Sequence, residues 1–220
     1  MKSFFKNNSI ILIPYLLVLG LIAYFLNQYK KTDIHLFLND LVGTPLIDKF
    51  YYYITYLGDG NVAIVLLISI LLYNIRLGIY VTLTFIVSTS ISTILKHFVF
   101  DDCNRPFFIF TYFEKHTLRL VDGVDIFIHN SFPSGHATQA FAIFMSLAFC
   151  LPNKFIKILF FITACLTAYS RVYLSQHWLI DITAGSLLGF IISTLFYFLV
   201  FNNAKLITFN KSIFKLKKVD

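Results

Sequence analysis

The chain has 220 residues, a formal net charge of +7 at pH 7 and a composition dominated by apolar side chains. Hydrophobic residues make up 58% of it, charged residues only 13%, and 26 of its residues are phenylalanine. Such a chain cannot cover itself with polar surface, so the composition excludes an ordinary soluble enzyme and indicates a protein of the lipid bilayer.

Six apolar stretches approach the length of a membrane span. A hydrocarbon core about 30 Å thick requires roughly 20 apolar residues in one helix. The sequence therefore predicts an all-α, polytopic membrane protein in which residues 1–220 form a single domain with six transmembrane helices. The predicted spans are residues 10–26, 62–75, 77–99, 137–151, 155–173 and 179–201, and residues 46–57 are predicted as an interfacial helix. One such stretch alone could be a buried core helix, but six in one chain favour a membrane protein.

The distribution of basic residues predicts the orientation, because short loops rich in Lys and Arg remain cytoplasmic. With the N-terminus inside, the inner side carries many basic residues and a single acidic one, Asp220. We therefore expect both termini in the cytoplasm, with a basic tail over residues 203–220. The abundance of Lys, Ile, Phe and Asn suggests an AT-rich bacterial genome, so the expected location is a bacterial inner membrane. The sequence has no basic stripe with interleaved aromatic residues, which nucleic-acid binding would require. The net positive charge is therefore interpreted as attraction of the inner face to anionic lipid.

Six ionisable residues gather on the predicted outer side. In chain order they are Lys96, Arg105, His136, Arg171, His177 and Asp181, and His136 closes the run Pro133-Ser134-Gly135-His136. Each ionisable group at membrane depth costs roughly 2.5–3.5 kcal/mol on insertion scales. Their placement at one level of the membrane therefore indicates a functional site.

The two histidines suggest phosphoryl chemistry. His177 and Asp181 are four residues apart and share a helix face, so the carboxylate can orient one ring nitrogen and leave the other as a nucleophile. The alternative is a pair that only pins a helix terminus. His136 can protonate the leaving oxygen and then activate the water that attacks a phosphohistidine.

The Ser134-Gly135 turn and the cations suit a phosphate. A glycine lets the backbone approach a ligand, and helix N–H groups attract phosphate, although an ordinary Ser-capped helix start is the alternative. Arg105, Arg171 and Lys96 can neutralise transition-state charge, although each alone could be a snorkelling interfacial cation. Because these cations would supply the electrophilic help, the sequence predicts no metal and no cofactor.

Together these residues resemble the three-part motif of the type 2 phosphatidic acid phosphatase (PAP2) superfamily, which includes bacterial lipid phosphatases and vanadium haloperoxidases. The three parts are Lys96…Arg105-Pro106, Pro133-Ser134-Gly135-His136 and Ser170-Arg171-x5-His177-x3-Asp181. The core motifs cover residues 96–181, and the second and third parts match at every fixed position. The first part departs from the pattern, since residues 97–104 separate Lys96 from Arg105, two more than the family usually has.

The resemblance implies a PAP2-type helical bundle with an extracytoplasmic loop over the active site. It implies a metal-independent lipid phosphatase that acts on a phosphomonoester or pyrophosphate through a phosphohistidine. The catalytic residues would be His177, His136 and Asp181, and the phosphate-binding residues Lys96, Arg105, Ser134, Gly135 and Arg171.

The substrate stays open among undecaprenyl pyrophosphate, phosphatidylglycerophosphate, phosphatidic acid and lipid A. The expected partners are the lipid phosphate and the bilayer, with no nucleic acid and no obligate protein partner. The alternatives are a lipid phosphotransferase with the same intermediate and a catalytically silent membrane scaffold or transporter. A haloperoxidase fits less well, because that chemistry suits a soluble enzyme better than a chain this apolar. The remaining histidines, His35 among them, are predicted as interfacial or loop residues.

Overall fold

The computed structural model describes residues 2–201, and their regular elements are helices. These are α1 Lys2–Gln28, α2 Lys31–Asn39, α3 Pro45–Ile54, α4 Gly60–Tyr73, α5 Ile75–Ile94, α6 Pro106–Ile109, α7 Gly135–Cys150, α8 Lys154–Tyr173 and α9 Leu179–Phe201. A 3-10 turn, Thr55–Gly58, prolongs α3, and π-helical turns prolong α5 and α6. The predicted all-helical class is confirmed, and the predicted basic tail, residues 203–220, lies outside the described residues.

Four helical stretches are long and apolar enough to cross a membrane, namely Ser3–Gln28, Ile75–Val99, Lys154–Tyr173 and Leu179–Phe201. The stretches Pro45–Gly58 and Gly60–Tyr73 pass the same test only together and are bent by 59° at their junction. The structure therefore contains four candidate spans in its described part, or five if the bent pair is one span. Six spans and an interfacial helix remain predictions.

The predicted second span ends earlier than the sequence suggested. Asn74 leaves the helical conformation, with a φ of −151°, and its Oδ1 accepts a hydrogen bond from Leu77 N at 3.0 Å. Asn74 therefore ends α4 at Tyr73 and at the same time caps the start of α5.

Helix α7 lies inside the bundle and is shorter than a full span. It packs against α5, α8 and α9, and most of its 16 residues are buried. At 1.5 Å per residue it is about 24 Å long, which is less than the hydrocarbon thickness of about 30 Å. Because protein surrounds α7, its length does not have to match the bilayer.

Two glycines let α9 approach α7 closely. A Cβ atom at Gly185 would lie 2.5 Å from the carbonyl oxygen of Ser134, and one at Gly189 would lie 2.5 Å from that of Thr138. Small residues at this spacing allow helix backbones to pack tightly in membranes. Asp181 lies one turn before Gly185, and its carbonyl oxygen accepts a hydrogen bond from Ser134 N at 3.1 Å. The close packing therefore aligns the start of α9 with the start of α7.

Candidate active site

The polar residues singled out in the sequence meet at one end of the bundle, where α7 and α9 begin and α5 and α8 end. His136 is the second residue of α7, and His177 lies in the connection between α8 and α9. The groups whose charges act on the His136 ring are Arg171, His177, Lys96 and Arg105. The tertiary structure thus brings together side chains that are far apart in the sequence, from Lys96 to Asp181.

Asp181 is held by several donors. Its Oδ2 accepts hydrogen bonds from Ser131 Oγ at 2.5 Å and from Trp178 N at 2.9 Å. His177 Nδ1 lies 3.4 Å from the same oxygen. All four side chains are buried. The carboxylate is therefore fixed in place beside the imidazole, and Ser131 is a positioning residue that the sequence analysis missed. Its only sequence signal was a hydroxyl group two residues before Pro133.

The electrostatic environment favours a neutral His177. Burial lowers the pKa of this imidazole well below its usual value, because a charged ring loses its hydration. Arg105, Arg171 and Lys96 lower the pKa further, since like charges disfavour the imidazolium form, while a hydrogen bond to the backbone of Ser131 opposes them. A neutral ring retains the lone pair that a nucleophile needs.

Arg105 forms hydrogen bonds to two loops beside the site, the one before α7 and the one before α9. Its Nε donates to His129 O at 2.8 Å and its Nη1 to Gln176 O at 3.0 Å, and the guanidinium lies 5.3 Å from the Phe127 ring. Burial lowers the pKa of Arg105, and Asp181 opposes that effect. Arginine remains charged in proteins. Arg105 therefore both supports the loop before α7 and supplies a cation.

Arg171 faces a cavity of about 300 Å³ beside His136. Its Nη1 donates to Thr55 Oγ1 at 2.8 Å, but its Nε is buried without a hydrogen-bond partner among the described residues. An unsatisfied buried donor is costly and suggests a ligand. The cavity is lined by Tyr52, Thr55, Tyr56, Asp59, Gly123, Val124, Asp125, Phe127, His136, Arg171, Leu174 and Gln176. Residues of the segment before Pro133 thus form one wall.

The start of α7 presents backbone N–H groups near these side chains. Ser134 caps the helix, and its Oγ accepts from Ala137 N at 3.5 Å. The first N–H groups of a helix have no intrahelical acceptor, which includes those of Gly135 and His136. The turn after α3 packs directly on this point, because a Cβ atom at Gly58 would lie 2.8 Å from His136 O.

Lys96 also reaches the cluster, despite the longer interval before Arg105. It lies in the π-helical turn Leu95–Val99, and its charge interacts with Arg105, Asp181 and Arg171. A turn at residues 101–102 takes up the additional length, and Cys103 N donates to Phe100 O at 3.3 Å. Despite the departure from the family spacing, Lys96 therefore lies close enough to Arg105, Asp181 and Arg171 for its charge to act on theirs.

His35 differs from its prediction as an interfacial or loop residue. It lies in α2 with 2% exposure, packed against the rings of Phe110 and Trp178. Its Nε2 lies 3.2 Å from Ser175 Oγ. The sequence could not show this burial, because the covering residues come from the π-helical turn after α6 and from the connection before α9.

Comparisons with known proteins agree with this arrangement. The model of the PAP2 superfamily matches residues 77–205, more than half of the chain. An undecaprenyl-diphosphatase of Sulfolobus acidocaldarius is 46% identical over 65 residues, which are 30% of this chain and 31% of that protein. The chain thus matches about a third of the length of this curated relative.

Solved structures are similar over much greater lengths. The structure of LpxE from Aquifex aeolicus has a TM-score of 0.62 and 26% identity, and the match covers 75% of this chain and 93% of that one. A transmembrane PAP2 type phosphatidylglycerolphosphate phosphatase from Bacillus subtilis has a TM-score of 0.64 and 22% identity, covering 90% of this chain and 97% of that one. The second match shows a shared fold. The resemblance inferred from the motifs is confirmed, and the chain belongs to the PAP2 superfamily.

Proposed function

We propose that this protein is an integral membrane phosphatase that removes phosphate from a lipid phosphomonoester or pyrophosphate. One observation carries the proposal, namely the convergence of His136, His177 and three cations. Of these residues, His136 and Arg171 line a cavity in which Arg171 Nε is buried without a partner among the described residues. Two imidazoles beside several cations suit a phosphate group better than a neutral substrate.

In the first chemical step, His177 attacks phosphorus through Nε2, the ring nitrogen farther from Asp181. The phosphorus–oxygen bond to the lipid breaks, and the departing oxygen takes a proton from the imidazolium form of His136, which the negative charge of the bound phosphate stabilises against burial and the neighbouring cations. His136 is left as the neutral imidazole. Asp181 accepts a hydrogen bond from Nδ1 and stabilises the positive charge that develops on the His177 ring. Arg171 and Arg105 neutralise charge on the phosphoryl oxygens.

In the second step, His136 removes a proton from water, and the resulting hydroxide attacks the phosphohistidine. The phosphorus–nitrogen bond breaks, inorganic phosphate leaves, and His177 returns to its neutral form. The N–H groups of Gly135 and His136 at the start of α7 would bind a phosphoryl oxygen, whereas Ser134 N already donates to Asp181 O and Ser134 supports this turn as the helix cap. Lys96 and the two arginines would give this mechanism its electrophilic help without a metal ion or cofactor.

The relatives suggest which lipids to test. The Sulfolobus relative is named an undecaprenyl-diphosphatase, and the Bacillus structure is a phosphatidylglycerolphosphate phosphatase. We propose a substrate of this general kind, whose tail remains in the bilayer while its phosphate enters the cavity. Phosphatidic acid and lipid A complete the candidate set.

We also propose that residues 1–220 form one domain with six spans. In this arrangement α4 and α7 are the two short spans, and residues 46–57 form the interfacial helix before α4. Both termini are cytoplasmic, and the site faces the periplasm or outer surface. The positive-inside distribution supports this orientation, since Lys6, Arg76, Lys154 and Lys157 lie at the end of the bundle opposite the site.

The deciding experiment measures inorganic phosphate released by the purified full-length protein from a panel of lipid phosphates and pyrophosphates, without an acceptor lipid. We expect release from at least one lipid, loss of release in His177→Ala, and retention in Ser193→Ala, which changes a buried α9 residue away from the site. Release that persists in His177→Ala would contradict the nucleophile assignment. Consumption of substrate without free phosphate would favour a transferase, and inactivity on every lipid would favour a silent scaffold.

A further inference from the structure

A second polar cavity lies at the end of the bundle opposite the candidate active site. Its volume is about 970 Å³. The walls come from the first turns of α1, the end of α7, the connection to α8 and the start of α8, with Tyr197 of α9. Since α7 runs from Gly135 to Cys150, its length separates this cavity from His136 by roughly 20 Å or more.

The cavity is strongly basic. Three lysines line it, namely Lys6, Lys154 and Lys157, and none of its lining residues in the described part of the chain, residues 2–201, is acidic. Lys6 and Lys154 are exposed, so water or lipid headgroups can reach them. The wall that these described residues form therefore contains no carboxylate to compensate the positive charge.

Lys157 is the most costly of these uncompensated positive charges, because its side chain is buried. The residue is 3% exposed, and its Nζ donates to Asn7 O at 3.1 Å and to Asn8 Oδ1. Both acceptors are neutral, and no ion pair of Lys157 occurs within residues 2–201. An ammonium has three donors, and buried charges in proteins are ordinarily paired. A negatively charged group in the cavity would supply the missing partner.

One wall of the cavity is apolar and continues along the lipid-facing side of α1. Ile10, Ile13 and Pro14 line the cavity, and Ile13 is 57% exposed. One turn further along α1, Leu16 and Leu17 are 62% and 69% exposed. An occupant with a charged head and an apolar tail would satisfy both parts of this surface.

We propose that this cavity binds the phosphate-bearing headgroup of an anionic phospholipid, with its acyl chains lying along α1. The phosphate would pair with Lys157 in the interior and with Lys6 and Lys154 at the mouth. In the proposed orientation the cavity opens at the cytoplasmic leaflet, where anionic lipids are concentrated. The bound lipid would join α1 to the start of α8, and the site is separate from the proposed reaction.

The test follows the thermal unfolding of the purified full-length protein in neutral detergent during titration with short-chain phosphatidylglycerol or phosphatidylcholine. We compare the wild type with the double variant Lys6→Gln/Lys154→Gln, which changes exposed side chains and leaves buried Lys157 in place. The matched control is Lys30→Gln/Lys49→Gln, which removes two exposed charges at the other end of the bundle. Any lipid bound at the active site contributes equally to the wild type and to both variants.

We expect phosphatidylglycerol, but not phosphatidylcholine, to raise the unfolding temperature of the wild type and the control. The Lys6→Gln/Lys154→Gln variant should bind phosphatidylglycerol about tenfold or more weakly, because it loses two lysines near the anionic group. Its phosphate release should stay at the wild-type rate. Equal responses to the two lipids, or equal losses in the control, would overturn the proposal. If inorganic phosphate raises the unfolding temperature equally at the same concentrations, the ligand of the cavity is a free anion and the lipid proposal is overturned.

Discussion

Ser131→Ala tests whether the carboxylate beside His177 is held in place for catalysis. The substitution removes the hydroxyl that donates to Asp181 Oδ2 at 2.5 Å and leaves the hydrogen bond from Trp178 N. Because Ser131 is fully buried, water cannot readily replace the lost donor. Asp181 then gains freedom to rotate away from His177 Nδ1, which already lies 3.4 Å away.

The expected loss can be worked out from this hydrogen bond. A hydrogen bond to a charged group contributes about 1.5–3 kcal/mol. If the whole contribution is realised in the transition state, phosphate release should slow by about 10- to 150-fold. Since Ser131 acts through Asp181 and does not touch the substrate, the loss should appear in kcat, with little change in KM.

The assay measures kcat and KM for phosphate release by the purified variant, together with its unfolding temperature. Ser193→Ala is the matched control, since Ser193 is equally buried and its Oγ donates to Phe190 O, a contact within α9 itself. Wild-type kcat in Ser131→Ala, or an equal loss in Ser193→Ala, would refute the positioning role. Rescue by Ser131→Thr would support it, because threonine restores the hydroxyl.

The other predictions concern packing, charge, metal dependence and pH. Gly189→Ala should lower the free energy of unfolding by about 1–3 kcal/mol, because the new methyl group meets the backbone of α7. Gly20→Ala is the control and should leave this free energy unchanged, because the space around Gly20 is open. Equal unfolding temperatures for the two variants would contradict the prediction. Arg105→Ala should reduce kcat/KM more than Lys96→Ala, since it also removes donors to loop carbonyls; an equal or larger loss from Lys96→Ala would reverse the ranking. Vanadate should inhibit phosphate release and chelators should not, and activity lost to a chelator and restored by a divalent ion would rule out the metal-free mechanism. Burial lowers the pKa of His35 to about 4 from 6.5, so the unfolded chain binds the proton first as the pH falls. Stability should therefore decrease between about pH 6.5 and 4, by about 2–4 kcal/mol in total; His35→Asn should show a shallower decrease in unfolding temperature over this range, and an unchanged slope would contradict the assignment.

Several features of the site could be predicted because they depend on residues close together in the sequence. The i, i+4 spacing of His177 and Asp181 places both on one side of the chain, and Ser134 before an apolar run indicates a capped helix start. The motif residues Lys96, Arg105 and Arg171 could be identified by type and spacing. Their convergence was an inference from the membrane topology, and the structure brings them to one end of the bundle.

The sequence by itself determined that this chain is helical and suited to a bilayer, because apolar composition and the length of apolar runs are local properties. Only the tertiary structure decided which helix lies inside the bundle and which partners fix the polar groups. The burial of α7, the bend between α3 and α4, the Ser131 contact to Asp181 and the enclosure of His35 all depend on segments far apart in the chain. Such contacts arise from packing between helices, and a residue pattern along one helix does not specify which neighbour it will meet.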